Sequence, residues 1–364
     1  MSNARKLADN LPTEGQLGNR NLFINGAMQV AQRASSATAA VAGGSYITLD
    51  RYKIFEDTDG AYTSEQSTTA PDGFPNSMKL QVTTADTSLS SAQYAALGQF
   101  IEAQNLQHLD YGTNAAKDVT VSFYVRSNKT GTYCFCLEKN DSTRYLFIKE
   151  FTIDAADTWE RKIITVPPDS QIKASGGAID NNNGAGLRAF IFLAAGSDYH
   201  GTNNVWNSNT SYYATSNQVN WMDSTSNNFY VTGMQLEVGS QASPFEHEPI
   251  SVALARCQRY FIRYDGNTEF VCQFYSATNG DFNISTPVTM RATPSLTCTD
   301  RENTANKISL YSSGYTHGHN ISIITSRSIG NIMTLRIAGV SSGVVGVNEA
   351  VQVQFYDLRL DAEL

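Results

Sequence analysis

The sequence predicts an all-β protein: an antiparallel β-sandwich, a short connecting helix and a second, smaller β domain. Three observations carry this. Charged residues make up only 16% of the 364, so Ser, Thr, Asn, Gln and Gly must supply the polar surface, a composition that suits strands and turns. Short alternating runs recur between Gly-, Asn- and Asp-rich turns with no helix interleaved, which disfavours a parallel sheet. One stretch alone, beginning at Pro249, carries apolar residues at helical spacing.

In chain order, residues 1 to about 20 are polar and aperiodic and read as an extended N-terminal arm. The sandwich is assigned to residues 21–248. Its strand signals include "YITLDRYKIFE", "MKLQVTT", "YLFIKEFTI", "WERKIITVP" and "DVTVSFYVRS", in which Val119, Val121, Phe123 and Val125 share a face. "LRAFIFLAA" is apolar on both faces, as in a central strand, and Trp159 falls in a strand pattern that places it in the core. "VTGMQLEVGSQASPFEHEP" opens as the last strand, with Tyr230, Thr232, Met234, Leu236 and Val238 facing one way, and Gly239 ends it. Pro249 then starts a helix assigned to 249–263, with Ile250, Ala253, Leu254, Cys257 and Phe261 as its apolar stripe. Glu246 and Glu248 sit at its positive end, and Arg256, Arg259 and Arg263 at its negative end. Strand signals resume through the C-terminal β domain, 264–364.

A net charge of −8 without a basic cluster argues against nucleic acid. No apolar run approaches the ~20 residues of a membrane span, and "MSNARKLADN" lacks the apolar core of a signal peptide. The five cysteines form no framework or zinc spacing; Cys134 and Cys136, two apart on a strand, read as small buried hydrophobes. "GVSSG" at 339–343 has nucleophile-elbow spacing, but "VVGV" follows where a helix is required. No catalytic constellation stands out.

"NLFINGAMQVAQR", "DRY" at Asp50–Tyr52, "GMQLEVGSQASPFEHEPISVALARCQRYF", "VTMRATPSL" and the terminal "DAEL" together resemble tail fibre or receptor-binding tail proteins of tailed bacteriophages. Tyr52 departs from the Trp relatives often carry; both fill an apolar slot. The resemblance implies a jelly-roll domain similar to carbohydrate-binding modules and then a second β domain. It implies a non-enzymatic virion protein acting in host attachment, made in the host cytoplasm and usually a homotrimer. A glycan-degrading tailspike and a capsid or collar decoration protein are the alternatives. Within this reading the arm docks other virion tail proteins, and a host glycan or receptor is the outward partner.

The site candidates follow. The Asn- and Ser-rich segment "SDYHGTNNVWNSNTSYYATSNQVNWM" presents Tyr199, Trp206, Tyr212, Tyr213 and Trp221 as glycan-stacking candidates. His317 and His319 are metal candidates should three chains meet on an axis, since residues two apart on a strand point the same way. "EDTDG" at 56–60 is an oxygen-rich turn and a calcium candidate. Ile250, Leu254, Cys257 and Phe261 are trimer-contact candidates, because strands apolar on both faces and a striped helix predict more burial than one chain supplies.

Overall fold

The computed structural model describes residues 18–39, 44–311, 315–320, 322–340 and 345–364, and only the backbone course of 39, 315–320 and 322–328. The described chain divides into two compact units, one up to Ala253 and one of Leu254–Glu363.

The first unit is an antiparallel, jelly-roll-like sandwich of two six-stranded sheets. One sheet runs β1 (Ser36–Ala39), β3 (Ala61–Ser67), β4 (Ser77–Thr84), β12 (Asn228–Val238), β6 (Val119–Ser127), β9 (Glu160–Val166). The other runs β11 (Trp206–Asn207), β8 (Tyr145–Ile153), β7 (Gly131–Lys139), β10 (Ala185–Ala195), β5 (Tyr94–Glu102), β2 (Lys53–Asp57). Period-two alternation sends Val121, Phe123, Met78 and Leu80 of the first sheet into one core with Leu97, Phe135, Leu137 and Ile191 of the second. The second sheet is apolar on its outer face as well, where Phe55, Phe100, Cys134, Cys136, Phe190 and Phe192 form a separate cluster. That is why β10 reads as apolar throughout. Tyr52 fills its apolar slot, 1% exposed.

Two strand-level expectations are corrected. Trp159 is half-buried outside the core, edge-on to Tyr230 with ring centroids 6.1 Å apart. In β12 the expected face is continuous only from Met234 to Val238; before it, Phe229 and Val231 point into the core instead of Tyr230 and Thr232. A register shift between Thr232 and Gln235 inverts the alternation. Gly233 makes this bulge at φ +62°, where a Cβ would come 2.8 Å from Phe74 Cζ and 2.9 Å from Tyr124 Cδ2.

The exit from β12 is a hydrogen-bonded clamp. Buried Glu237 accepts from Ser243 N at 2.8 Å and Ser243 Oγ at 2.6 Å. Glu246 accepts from the backbone amides of Asn19 (2.7 Å) and Asn21 (2.9 Å). Arg20 donates to Ser243 Oγ and Pro244 O, both at 2.7 Å. Glu246 thus serves the N-terminal segment rather than the helix dipole, and residues 19 and 20, assigned to the arm, are tied to the sandwich; residues 1–17 of the arm lie outside the described residues.

The helix is shorter than expected, Ile250–Gln258. Aromatic and β-branched Tyr260, Phe261 and Ile262 turn the chain into β13 (Phe261–Phe274), which pairs with β20 (Ala350–Asp361), so Arg263 lies in a strand and bonds Asp357 Oδ1 at 2.9 Å. The second unit is an eight-stranded antiparallel sheet with its own core, in which Met333, Leu335 and Ile337 alternate inward against Phe282 and Phe355.

Candidate functional site

The outer face of the second sheet carries a cleft of about 330 Å³. Strand register builds it row by row. Asp57 pairs with Tyr94 at one end. The next row holds Phe55, Ala96, Phe192 and Cys134, and the next Lys53, Gly98, Phe190 and Cys136. Phe100, Arg188 and Glu138 close the other end. Strand β5, between β10 and the edge strand β2, thus contributes the two smallest residues, Ala96 and Gly98. A Cβ on Gly98 would come 2.8 Å from Phe190 Cδ1 and from Ala189 O. The rings of Phe55 and Phe190 meet over this low strip with centroids 5.6 Å apart, and Phe100 and Phe190 at 5.8 Å. The result is an aromatic floor.

Polar groups rim that floor. Glu138, fully buried, accepts from Arg144 Nε at 2.9 Å and Arg188 Nη1 at 3.1 Å through Oε1, and from Arg144 Nη2 at 3.1 Å and Tyr213 OH at 3.3 Å through Oε2. Two guanidiniums therefore share one carboxylate. Arg188 also lies over the Phe100 ring at 4.9 Å, and Lys53 Nζ over the same ring at 5.2 Å. Arg51, in the left-handed region at φ +73°, holds Phe100 from below through its carbonyl, 2.6 Å from Nη2. At the other end burial raises the pKa of Tyr94, helped by Tyr199 and Asp57, and burial likewise raises that of Tyr199, helped by Asp57 and Asp198. Both phenols stay protonated donors at neutral pH. Burial also keeps the cysteine thiols beneath the floor protonated, Cys134 at about 11.

The aromatic segment folds over this face. Tyr213 stacks on Phe192 at 5.4 Å and meets Phe190 edge-on at 5.6 Å; Tyr199 contacts Tyr94 at 5.0 Å. The segment is anchored by Gly196 N to Gln93 O at 2.7 Å, and by Glu150, which accepts from Thr215 Oγ1 at 2.6 Å and Asn217 Nδ2 at 3.0 Å.

Of the five predicted stacking residues, Tyr199 and Tyr213 line the cleft, and Tyr212 is half-buried against the same cluster without lining it. Trp206 and Trp221 are corrected to core residues. Trp221 is fully buried edge-on to Tyr62 and donates to Asn228 O at 3.1 Å; Trp206 packs on Phe147 and donates to Pro167 O at 2.9 Å. With their faces covered and their N–H groups satisfied, these indoles pin the segment down. Lys53, Phe55, Tyr94, Phe100, Glu138, Arg188, Phe190 and Phe192 were not singled out from sequence. Their signal was present in "AFIFLAA", whose second apolar face needed a purpose, and in the small residues of "YAALGQF".

The remaining candidates are dispersed. "EDTDG" forms a turn in which Glu56 Oε1 accepts from Thr58 N at 2.8 Å and Thr58 Oγ1 at 2.5 Å. His317 and His319 lie on β17 (Tyr315–Asn320), and their side chains fall outside the described residues, as does most of "GVSSG". Among the described residues no three His, Cys, Asp or Glu side chains converge as a metal site, and no helix is long and apolar enough to cross a membrane. Ile250 is 54% exposed and Leu254 half-buried, whereas Cys257 and Phe261 are buried inside the chain itself. Those last two are corrected from trimer contacts to interior residues.

No family model and no curated protein matches the chain. Solved structures similar to it include a family 11 carbohydrate-binding module from Clostridium thermocellum in complex with a β-1,3-1,4-mixed-linked tetrasaccharide, at 10% identity and TM-score 0.28, covering 57% of this chain and 98% of that one. A xylan-binding domain of family 22 is 9% identical at TM-score 0.31, covering 62% and 99%. The enzymatically active domain of tailspike protein 4 of bacteriophage CBA120 is 9% identical at TM-score 0.30, covering 60% of this chain and 21% of that one. At these TM-scores the likenesses are descriptive, and the sandwich rests on its own strand order and core.

Proposed function

We propose that this protein is a saccharide-binding attachment protein, acting as a tail fibre or receptor-binding component of a tailed bacteriophage, without catalytic activity. The observation that carries the saccharide reading is the cleft: an aromatic floor of four phenylalanines bounded by Tyr94, Tyr199, Tyr213, Lys53 and Arg188. Its volume, about 330 Å³, falls in the range of small-molecule sites. A pyranose buries its apolar C–H face on a ring and bonds its hydroxyls to surrounding polar groups, and this cleft offers both. Glu138 supports recognition over hydrolysis, because both its oxygens are engaged by arginines and a tyrosine, whereas glycoside hydrolysis uses a working pair of carboxylates. The tail assignment and the homotrimer rest on the sequence motifs quoted above.

The test is to incubate the full-length protein with host-surface polysaccharide and measure binding and reducing ends together. Binding without new reducing ends is expected. Release of reducing ends favours a tailspike, and absence of binding overturns the saccharide reading. Immunogold labelling of virions tests the tail assignment separately; label on the capsid or collar favours a decoration protein.

A further inference from the structure

We infer that Tyr94 is the specificity-determining residue of the cleft, its hydroxyl donating a hydrogen bond to an uncharged hydroxyl of the bound sugar. This rests on the saccharide reading and deepens it by naming the group that is read and the residue that reads it. Tyr94, Tyr199 and Tyr213 all line the cleft. Two of their hydroxyls are engaged within the chain. Tyr199 OH donates to Ala92 O at 3.0 Å. Tyr213 OH accepts from Arg144 Nη2 and donates to Glu138 Oε2 at 3.3 Å. Of the three, only Tyr94 has a hydroxyl that bonds no other group among the described residues. Nor is that hydroxyl sealed in the interior, for Tyr94 is half-buried and solvent reaches its oxygen. Its ring is nonetheless fixed, packed on Phe192 at 6.1 Å and edge-on to Tyr199 at 5.0 Å. A phenol on a packed ring has little freedom left to lose when a ligand arrives.

The surroundings set the charge of what Tyr94 meets. Apart from each other, the groups acting electrostatically on Tyr94 and Tyr199 are the carboxylates of Asp57 and Asp198, and Asp57 lies opposite Tyr94 in the strand register. No cation is among them. An anionic substituent here would meet like charge, whereas a neutral hydroxyl accepts from the phenol without that cost. Burial, Tyr199 and Asp57 keep the Tyr94 phenol protonated at neutral pH, so it is the donor. A sugar lacking the matching hydroxyl, or an epimer that turns it away, leaves the phenol unpaired beside the aromatic floor. One polar group in an apolar site discriminates among similar ligands in this way.

The experiment is calorimetric titration of full-length wild type and full-length Tyr94→Phe with host-surface polysaccharide, at low and high salt, with the melting temperature of each. The phenylalanine keeps the ring on Phe192 and Tyr199 and removes only the donor. Binding is expected to weaken about three- to tenfold, the scale of one neutral hydrogen bond, with an unchanged melting temperature. The loss should be the same at both salt concentrations, because a bond between neutral partners is not screened. Unchanged affinity of Tyr94→Phe, with the polysaccharide bound, overturns this inference and leaves the saccharide reading standing. A loss that shrinks at high salt does the same, since it places a charged group at Tyr94. A fall in melting temperature also overturns it, by showing that the hydroxyl serves the fold. Failure of the wild type to bind overturns both.

Discussion

Replacing Glu138 by glutamine keeps the shape of the cleft and removes its shared counter-ion. The carboxylate is fully buried, while the side chains of Arg144 and Arg188 remain 31% and 30% exposed. Breaking a wholly buried pair costs about 3–5 kcal/mol because a charge is stranded. Here water reaches both guanidiniums, and the glutamine oxygen still accepts one hydrogen bond, so a loss of about 2–3 kcal/mol is expected. For a unit of this size that is a fall of roughly 5–10 °C in the sandwich's melting temperature. Scanning calorimetry of full-length Glu138→Gln reads it directly, with 0.5 M chloride as an added condition that should recover part of the loss by screening the two arginines. A fall below about 1 °C would refute the view that Glu138 is the counter-ion of Arg144 and Arg188.

Further outcomes are expected elsewhere. Gly233→Ala should destabilise the sandwich by about 1–3 kcal/mol in urea unfolding, because a left-handed residue gains a Cβ against Phe74 and Tyr124; a neutral result would show that the bulge tolerates a side chain. Glu246→Ala should speed hydrogen exchange at the amides of Asn19 and Asn21, which lose their acceptor; unchanged exchange would show that the clamp is held without it. Lys139 donates to Gly176 O at 2.7 Å and Ala178 O at 3.2 Å, while burial, partly opposed by Asp141 and Asp180, lowers its pKa to about 8. A folded pKa below the unfolded one penalises the folded state below pH 8, and the penalty fades as pH rises from about 8 towards 10.5. The wild type should therefore gain stability relative to Lys139→Met between pH 7.5 and 9.5, and a constant difference would contradict this.

The β class, the strand-rich sandwich and the turn into a helix near Pro249 were legible because each rests on local periodicity. Val119–Val125 and Met234–Val238 alternate as strands must. The bulge at Gly233 was not legible, since a glycine inside an alternating run shows where phase can change but not that it does. The helix end was misplaced because Phe261 and Arg263 continue a helical spacing by coincidence, and only pairing with β20 decides for strand. Trp206 and Trp221 share the loop composition of Tyr199 and Tyr213, yet which rings turn inward depends on contacts with Tyr62 and Phe147 far along the chain. The cleft was hidden for the same reason. Lys53, Gly98, Phe190 and Glu138 are brought together only by strand register, which a single sequence leaves open.

The central claim is that a saccharide ring lies on the outer aromatic floor of the sandwich. Its most direct test is a crystal structure of the full-length protein with a bound oligosaccharide at saturating concentration. The account predicts a pyranose in this cleft against Phe55 and Phe190, within reach of Tyr94, Tyr199 and Tyr213. Sugar density elsewhere on the chain, with this cleft empty, would contradict it.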